Sequence, residues 1–191
     1  MDSKKVEEPE SSGSPCGSVA PSCCTIYEQP WVEDLLGESF HPGGMELTQR
    51  SIASLRLPPG SRVIDVACGT GISAQALAKA GFEVLGIDAS AKQVEAASKR
   101  AGETAGLAFK VGRADALPVE MAAFDGIFCE CALSLVSDKA AVTKNWIQAL
   151  RPLGRLAISD MVVSGPLPDS LAGEVGNWAC LGGALSAAGA A

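Results

Sequence analysis

The chain has one histidine, His41, no CxxC pair, no cluster of lysines and arginines, and no apolar run near the ~20 residues that cross a bilayer. Each shortage closes a class of function. With a single histidine, catalysis by histidine is not expected. None of the spacings among the seven cysteines fits a structural zinc pattern. Twenty-two acidic against 15 basic residues give a net charge of −7, and without a basic track nucleic acid is a poor partner. Ser98-Lys99-Arg100 and Arg151 to Arg155 are isolated basic spots that read as solvated helix ends. Met1 to Glu10 is charged and no apolar core follows it, so neither a secretory signal nor a membrane partner is expected. The expected location is cytoplasmic. An odd cysteine count in a reducing compartment argues against a disulfide framework. Cys16, Cys23, Cys24, Cys68, Cys129, Cys131 and Cys180 are therefore read as free thiols.

What is present fits one globular domain: 191 residues, 47% hydrophobic and 19% charged. Residues 1–24 are rich in Ser, Gly, Pro and Glu without an apolar period and read as a mobile, disordered tail. Residues 25–191 read as the domain. Trp31-Val32 and Leu35-Leu36 suggest a short helix. Phe40 to Gly44 is a turn, and Met45 to Leu55 a helix with Leu47, Ile52 and Leu55 inward. Strands and helices then alternate. Strands are expected at Arg62–Ala67, Glu83–Asp88, Leu107–Val111, Asp125–Cys129 and Arg155–Met161. Helices are expected at Ile72–Ala80, at Ala91–Ala101 and from an Asp138 cap through Leu150, the last with Val142, Trp146, Ile147 and Leu150 on its apolar side. Leu167 onward reads as helical to about Ser186. Strands spaced by helices imply an α/β fold with a doubly wound parallel sheet and right-handed crossovers.

Two segments carry the chemistry. Val63-Ile64-Asp65-Val66-Ala67-Cys68-Gly69-Thr70-Gly71 is an apolar run ending in a glycine-containing turn. Val84-Leu85-Gly86-Ile87-Asp88 is a second run ending in an acid, 17 residues beyond Gly71. A strand, a turn where glycines admit a ligand close to the backbone, and a helix start make a nucleoside pocket, and the acid ending the next strand can accept from both ribose hydroxyls.

These segments, with Gly112-Arg113-Ala114-Asp115-Ala116-Leu117-Pro118, Phe124-Asp125-Gly126-Ile127-Phe128 and Leu150-Arg151-Pro152-Leu153-Gly154-Arg155-Leu156, resemble the class I S-adenosylmethionine-dependent methyltransferases. The dinucleotide alternative lacks its third glycine: the turn reads Ala67-Cys68-Gly69-Thr70-Gly71-Ile72-Ser73. The resemblance implies a Rossmann-like sheet of order 3-2-1-4-5, S-adenosyl-L-methionine as cofactor, and a small-molecule acceptor. It also implies roles. Asp65, Gly69 and Gly71 lie along the methionine part, with Ala67 in the same turn. Asp88 and the adjoining Ala89 hold the ribose. Asp115 faces the adenine amino group and Ala114 offers its N–H to the ring. Cys129 ends the fourth strand beside the cofactor, its side chain read as core.

Within the superfamily, Cys129-Glu130-Cys131-Ala132-Leu133 and Trp178-Ala179-Cys180-Leu181-Gly182-Gly183-Ala184-Leu185 look like arsenite methyltransferases. That likeness implies trivalent arsenic gripped by Cys131, Cys180 and Cys23 or Cys24. Three thiolates would leave the arsenic lone pair free to attack the sulfonium methyl, with alignment as the protein's main work. The plain alternative is that these cysteines pack as small hydrophobes, as Cys68 is expected to. Glu130 has no assigned role. Leu153 replaces the usual glycine before Gly154. The superfamily's last two strands are missing from this reading, which suggests a truncated form. Strand five, with Leu156, Ile158 and Met161 near it, would then be an open edge inviting a second copy or a partner.

Overall fold

The computed structural model describes residue 28, residues 41–168, residues 180 and 181, and residues 183–186. The readings for residues 1–24, Cys16, Cys23, Cys24 and the Trp31 to Leu36 helix lie outside these. Helix α1 (Gly44–Leu55) leads into strand β1 (Arg62–Val66), helix α2 (Ile72–Lys79), strand β2 (Glu83–Asp88), helix α3 (Ala91–Ala101) and strand β3 (Leu107–Val111). Strand β4 (Phe124–Glu130), helix α4 (Lys139–Ala149) and strand β5 (Leu150–Ser159) follow. All pairings within the sheet are parallel and its order is β3-β2-β1-β4-β5.

The central strands are buried on both faces, and period-two alternation sorts their side chains into two cores. Ile64, Val66, Ile127 and Cys129 meet Val142 and Trp146 of α4 on one face. Val63, Val84 and Phe128 meet Leu55 of α1 and Ala74 and Leu77 of α2 on the other. Each such aliphatic side chain contributes about 1.5–3 kcal/mol by burial.

Some boundaries differ from expectation. α4 stops at Ala149, and β5 begins at Leu150 through a bulge opposite Phe124 and Gly126 rather than at Arg155. Ile147 is 59% exposed, because only the Val142–Trp146–Ala149 stripe faces the sheet. Leu153 takes a left-handed φ of 67° with its side chain in solvent, so the turn keeps the geometry a glycine would favour. Of the helix expected from Leu167 to about Ser186, residues 169–179 and 182 lie outside the described residues, and its described end is not helical. Leu185–Ser186 is a short strand pairing in parallel with Val162–Val163 as a separate two-stranded sheet. The β-branched pair Val162–Val163 suits a strand and supplies the ladder partner. Among the described residues β5 is an edge of the main sheet, with Leu156 and Ile158 partly exposed. No described helix is long and apolar enough to cross a membrane.

Candidate functional site

The C-terminal ends of β1, β2 and β4 lie side by side, and each carries a carboxylate: Asp65, Asp88 and Glu130. Open parallel sheets bind ligands at this rim. Two non-glycine residues there, Ala67 after β1 and Cys131 after β4, take left-handed φ values of 58° and 51°. Such backbone strain concentrates at functional sites.

The turn after β1 folds as the glycines require. The Gly69 N–H donates to Asp88 Oδ2 at 2.9 Å, and the Ser90 N–H donates to Asp88 Oδ1 at 2.9 Å. The aspartate is thus fixed by backbone, with lone pairs left for hydroxyls. Burial pushes its carboxyl up against the lowering effect of those N–H groups. Ser90 caps α3 by accepting from the Gln93 N–H at 3.2 Å and donates to Glu28 at 2.6 Å. Gly71 starts α2 at a φ of 80°, but a Cβ there would lie 2.8 Å from the Phe109 ring. Its bare face therefore packs on protein, as does that of Gly86, against the same ring and Cys68. Ala67 is exposed at the rim and Cys68 is buried, its thiol pushed up by burial first.

Asp65 is 2% exposed and its Oδ2 has no hydrogen-bond partner. Burial, then the negative charges of Glu130 and Asp88, push its carboxyl well above the usual range, against one hydrogen bond from the Ala74 N–H. The arrangement suits a cation.

Glu130 is the surprise. Ser73 donates to its Oε2 at 2.8 Å, Thr48 donates to the same oxygen at 2.9 Å, and Ser159 donates to Oε1 at 3.3 Å. His41 Nε2 lies 3.3 Å away, and its Nδ1 reaches the Pro42 carbonyl at 3.2 Å. Both side chains of that pair are about nineteen-twentieths buried. Its hydrogen bond to Glu130 raises His41; burial raises Glu130, but His41 and Ser73 outweigh it and carry it below its ordinary value. Sequence reasoning flagged the His41 turn and Glu130 separately. Nothing in the chain links positions so far apart.

Other expected residues are placed as follows. Arg113 grips Asp115 with both ends of its guanidinium, at 2.9 and 2.6 Å, so adenine would have to share that carboxylate. The Ala114 carbonyl accepts from Trp146 Nε1 at 2.6 Å, which fixes the loop. Ala89 sits half-buried beside Asp88. Cys129 is fully buried in the α4-side core, so only its backbone can reach a ligand. Cys131 and Cys180 are brought together: the Cys180 thiol donates to the Cys131 carbonyl at 3.2 Å, and the thiols share a hydrogen bond that, with burial, raises Cys131 strongly. The late segment is packed tightly here, since a Cβ on Gly183 would collide with the Ser134 carbonyl. Among the described residues no group of three or more His, Cys, Asp or Glu is arranged to hold a metal ion.

The family profile of the methyltransferase domain matches residues 57–187. The chain belongs to this methyltransferase family. The methyltransferase domain is 35% identical over 136 residues to an O-methyltransferase of Pyrenophora dematioidea, covering 69% of this chain and 50% of that protein. Its fold matches Haemonchus contortus phosphoethanolamine N-methyltransferase 2, solved with phosphomonomethylethanolamine and S-adenosylhomocysteine. There the TM-score is 0.68 and the identity 25%, over 73% of this chain and 34% of that one. It also matches the [4+2]-cyclase SpnF, with TM-score 0.66 and 25% identity over 79% and 63% of the two chains. The methyltransferase domain spans about half the length of the curated relatives it matches.

Proposed function

We propose that this domain binds S-adenosyl-L-methionine at the rim of β1, β2 and β4 and transfers its methyl group to a small molecule. The observation that carries this reading is the buried, unpartnered Oδ2 of Asp65 beside Asp88 and Glu130. Three acids meet in one crevice, and among the described residues His41 pairs with Glu130 of the three. A ligand offering a ribose, an ammonium and a sulfonium fits that set. Asp88 holds the ribose hydroxyls, Asp65 faces positive charge, and the Gly69 turn stays close to the methionine part. The cofactor supplies an electrophilic methyl group on sulfur. The protein's residues orient it and exclude water, and such alignment is worth up to ~7–11 kcal/mol. The O-methyltransferase named among the relatives supports a small-molecule acceptor, and the match to a cyclase keeps the reaction itself a matter for assay.

The acceptor has a second reading, a thiophilic species such as arsenite. It is favoured by the meeting of Cys131 and Cys180 next to the Glu130 end of β4. Two thiols condense with arsenite without net change of charge, each thiol proton leaving with an arsenic hydroxyl as water. Cys23 or Cys24 would supply a third sulfur. The open β5 edge supports contact with a second copy or a partner strand, which light scattering at high concentration tests: a concentration-independent monomer contradicts it. A methyl-transfer assay against a panel of hydroxyl and amine acceptors, beside arsenite with thiol, tests the function. Transfer to no acceptor by a protein that binds the cofactor would overturn it. Arsenite affinity unchanged in Cys131→Ser and Cys180→Ser would remove the thiophilic reading.

A further inference from the structure

The three acids at the rim are satisfied unequally. Asp88 accepts from the backbone N–H groups of Gly69, Ser90 and Ala89. Glu130 accepts from Thr48, Ser73 and Ser159 and faces His41. Among the described residues Asp65 accepts from the Ala74 N–H, and its Oδ2 is buried with no donor. An uncompensated buried carboxylate is costly, and it escapes the cost either by holding a proton or by meeting a cation. We propose that Asp65 holds a proton in the ligand-free protein and gives it up when a ligand's cationic group arrives, so that cofactor binding is an exchange of one positive charge for another.

This rests on the adenosyl-cofactor reading above and deepens it. The groups facing Asp65 leave few other outcomes. β2 presents Asp88 and β4 presents Glu130, both negative; the turn after β1 presents Cys68 and β4 also presents Cys129, both thiols that burial keeps protonated. α2 presents the Ala74 N–H, and His41, in the turn ahead of α1, is engaged by Glu130. The consequence is selectivity. A neutral adenosine compound would have to leave the proton in place and gains nothing from Asp65. A compound with an ammonium or sulfonium displaces the proton and keeps a buried ion contact in its stead.

The sign follows from linkage. At low pH the proton is present before binding and is released on binding. As pH rises through the carboxyl's raised value, the ligand-free protein loses the proton by itself, so release falls and affinity reaches a plateau. The experiment is calorimetric titration with S-adenosylhomocysteine, which keeps the ammonium, and with 5′-methylthioadenosine, which has neither charge. Each is run between pH 5 and 8 in pairs of buffers with different ionisation enthalpies. S-adenosylhomocysteine is expected to release about one proton at the acidic end, with affinity rising about tenfold per pH unit until the plateau. 5′-Methylthioadenosine is expected to bind with no release and no slope from this group. Asp65→Asn, which keeps the shape and removes the charge, should abolish the release. Binding of S-adenosylhomocysteine without proton release throughout, or release that persists in Asp65→Asn, would overturn this proposal and leave the adenosyl site standing. No binding of either compound at any pH would overturn both.

Discussion

The two halves of the crevice are built in opposite ways. On the β1–β2 side Asp88 is held by backbone N–H groups from Gly69 and Ser90, in the turns that follow the adjacent strands β1 and β2. On the β4–β5 side Glu130 is held by side chains from four separate segments: His41, Thr48, Ser73 and Ser159. The first half is a local device, stiff and available to a ligand. The second is a tertiary knot that ties the lead-in helix to the sheet. Ligand affinity should depend mainly on the first half and cohesion of the domain on the second.

Asp88→Ala breaks the comparison most directly. It removes the carboxylate proposed to accept from the ribose and strands the Gly69 and Ser90 N–H donors. Hydrogen bonds to a charged group are worth about 1.5–3 kcal/mol each, so S-adenosylhomocysteine affinity should fall about 100-fold or more by calorimetry. Gly71→Ala comes next. The new methyl meets Phe109 and the residue sits at a φ of 80°, so denaturant unfolding should show a loss of about 1–3 kcal/mol. A neutral result would mean that the Phe109 packing does not constrain the turn.

The His41–Glu130 knot is tested by a double-mutant cycle with His41→Gln and Glu130→Gln, for which the coupling should fall within about 0.5–3 kcal/mol. Its pH dependence has a definite sign. His41 is raised above 6.5, so its contribution is complete below 6.5 and is lost as pH rises through the folded value. Glu130 is lowered below 4.5, so its contribution is present above 4.5 and is lost as pH falls through the folded value. The coupling should be largest between those limits; a coupling that grows toward alkaline pH would contradict the ion pair.

The smallest expected effect sharpens the comparison with matched helix caps. Ser90 accepts from the Gln93 N–H on α3, and Asp138 accepts from the Ala141 N–H on α4. Ser90→Ala and Asp138→Ala should each lose about 1 kcal/mol of stability, but only Ser90→Ala should also weaken S-adenosylhomocysteine, because Ser90 adjoins the Asp88 loop. Equal affinity in both variants would mean that the loop is held without its cap.

The same contrast explains what was legible in the sequence. The Asp65 and Asp88 strand ends and the Gly69 turn followed from short-range pattern, as apolar runs closed by a glycine-containing turn or an acid, and the start of α4 from its Asp138 cap; the strand order came from the family resemblance. Cys129 as core followed from strand alternation. The convergence on Glu130 did not, since polar residues in separate elements carry no periodic mark of their shared partner. Gly71 looked like a ligand-approach glycine, while its empty side is filled by Phe109 from β3, a contact between strands with no local signature. Asp115 was expected to face the adenine, and its pairing with Arg113, two residues earlier, was not read because it depends on the loop's own turn. Leu185–Ser186 was misread because a two-residue ladder is set by its partner, Val162–Val163, and not by its own pattern.

The most direct measurement is titration of the domain with S-adenosylhomocysteine near neutral pH, run beside Asp88→Ala. Saturable one-to-one binding that the substitution largely removes is the predicted result. Absence of heat together with an unchanged melting temperature, or binding indifferent to Asp88, would contradict the placement of the cofactor at this rim.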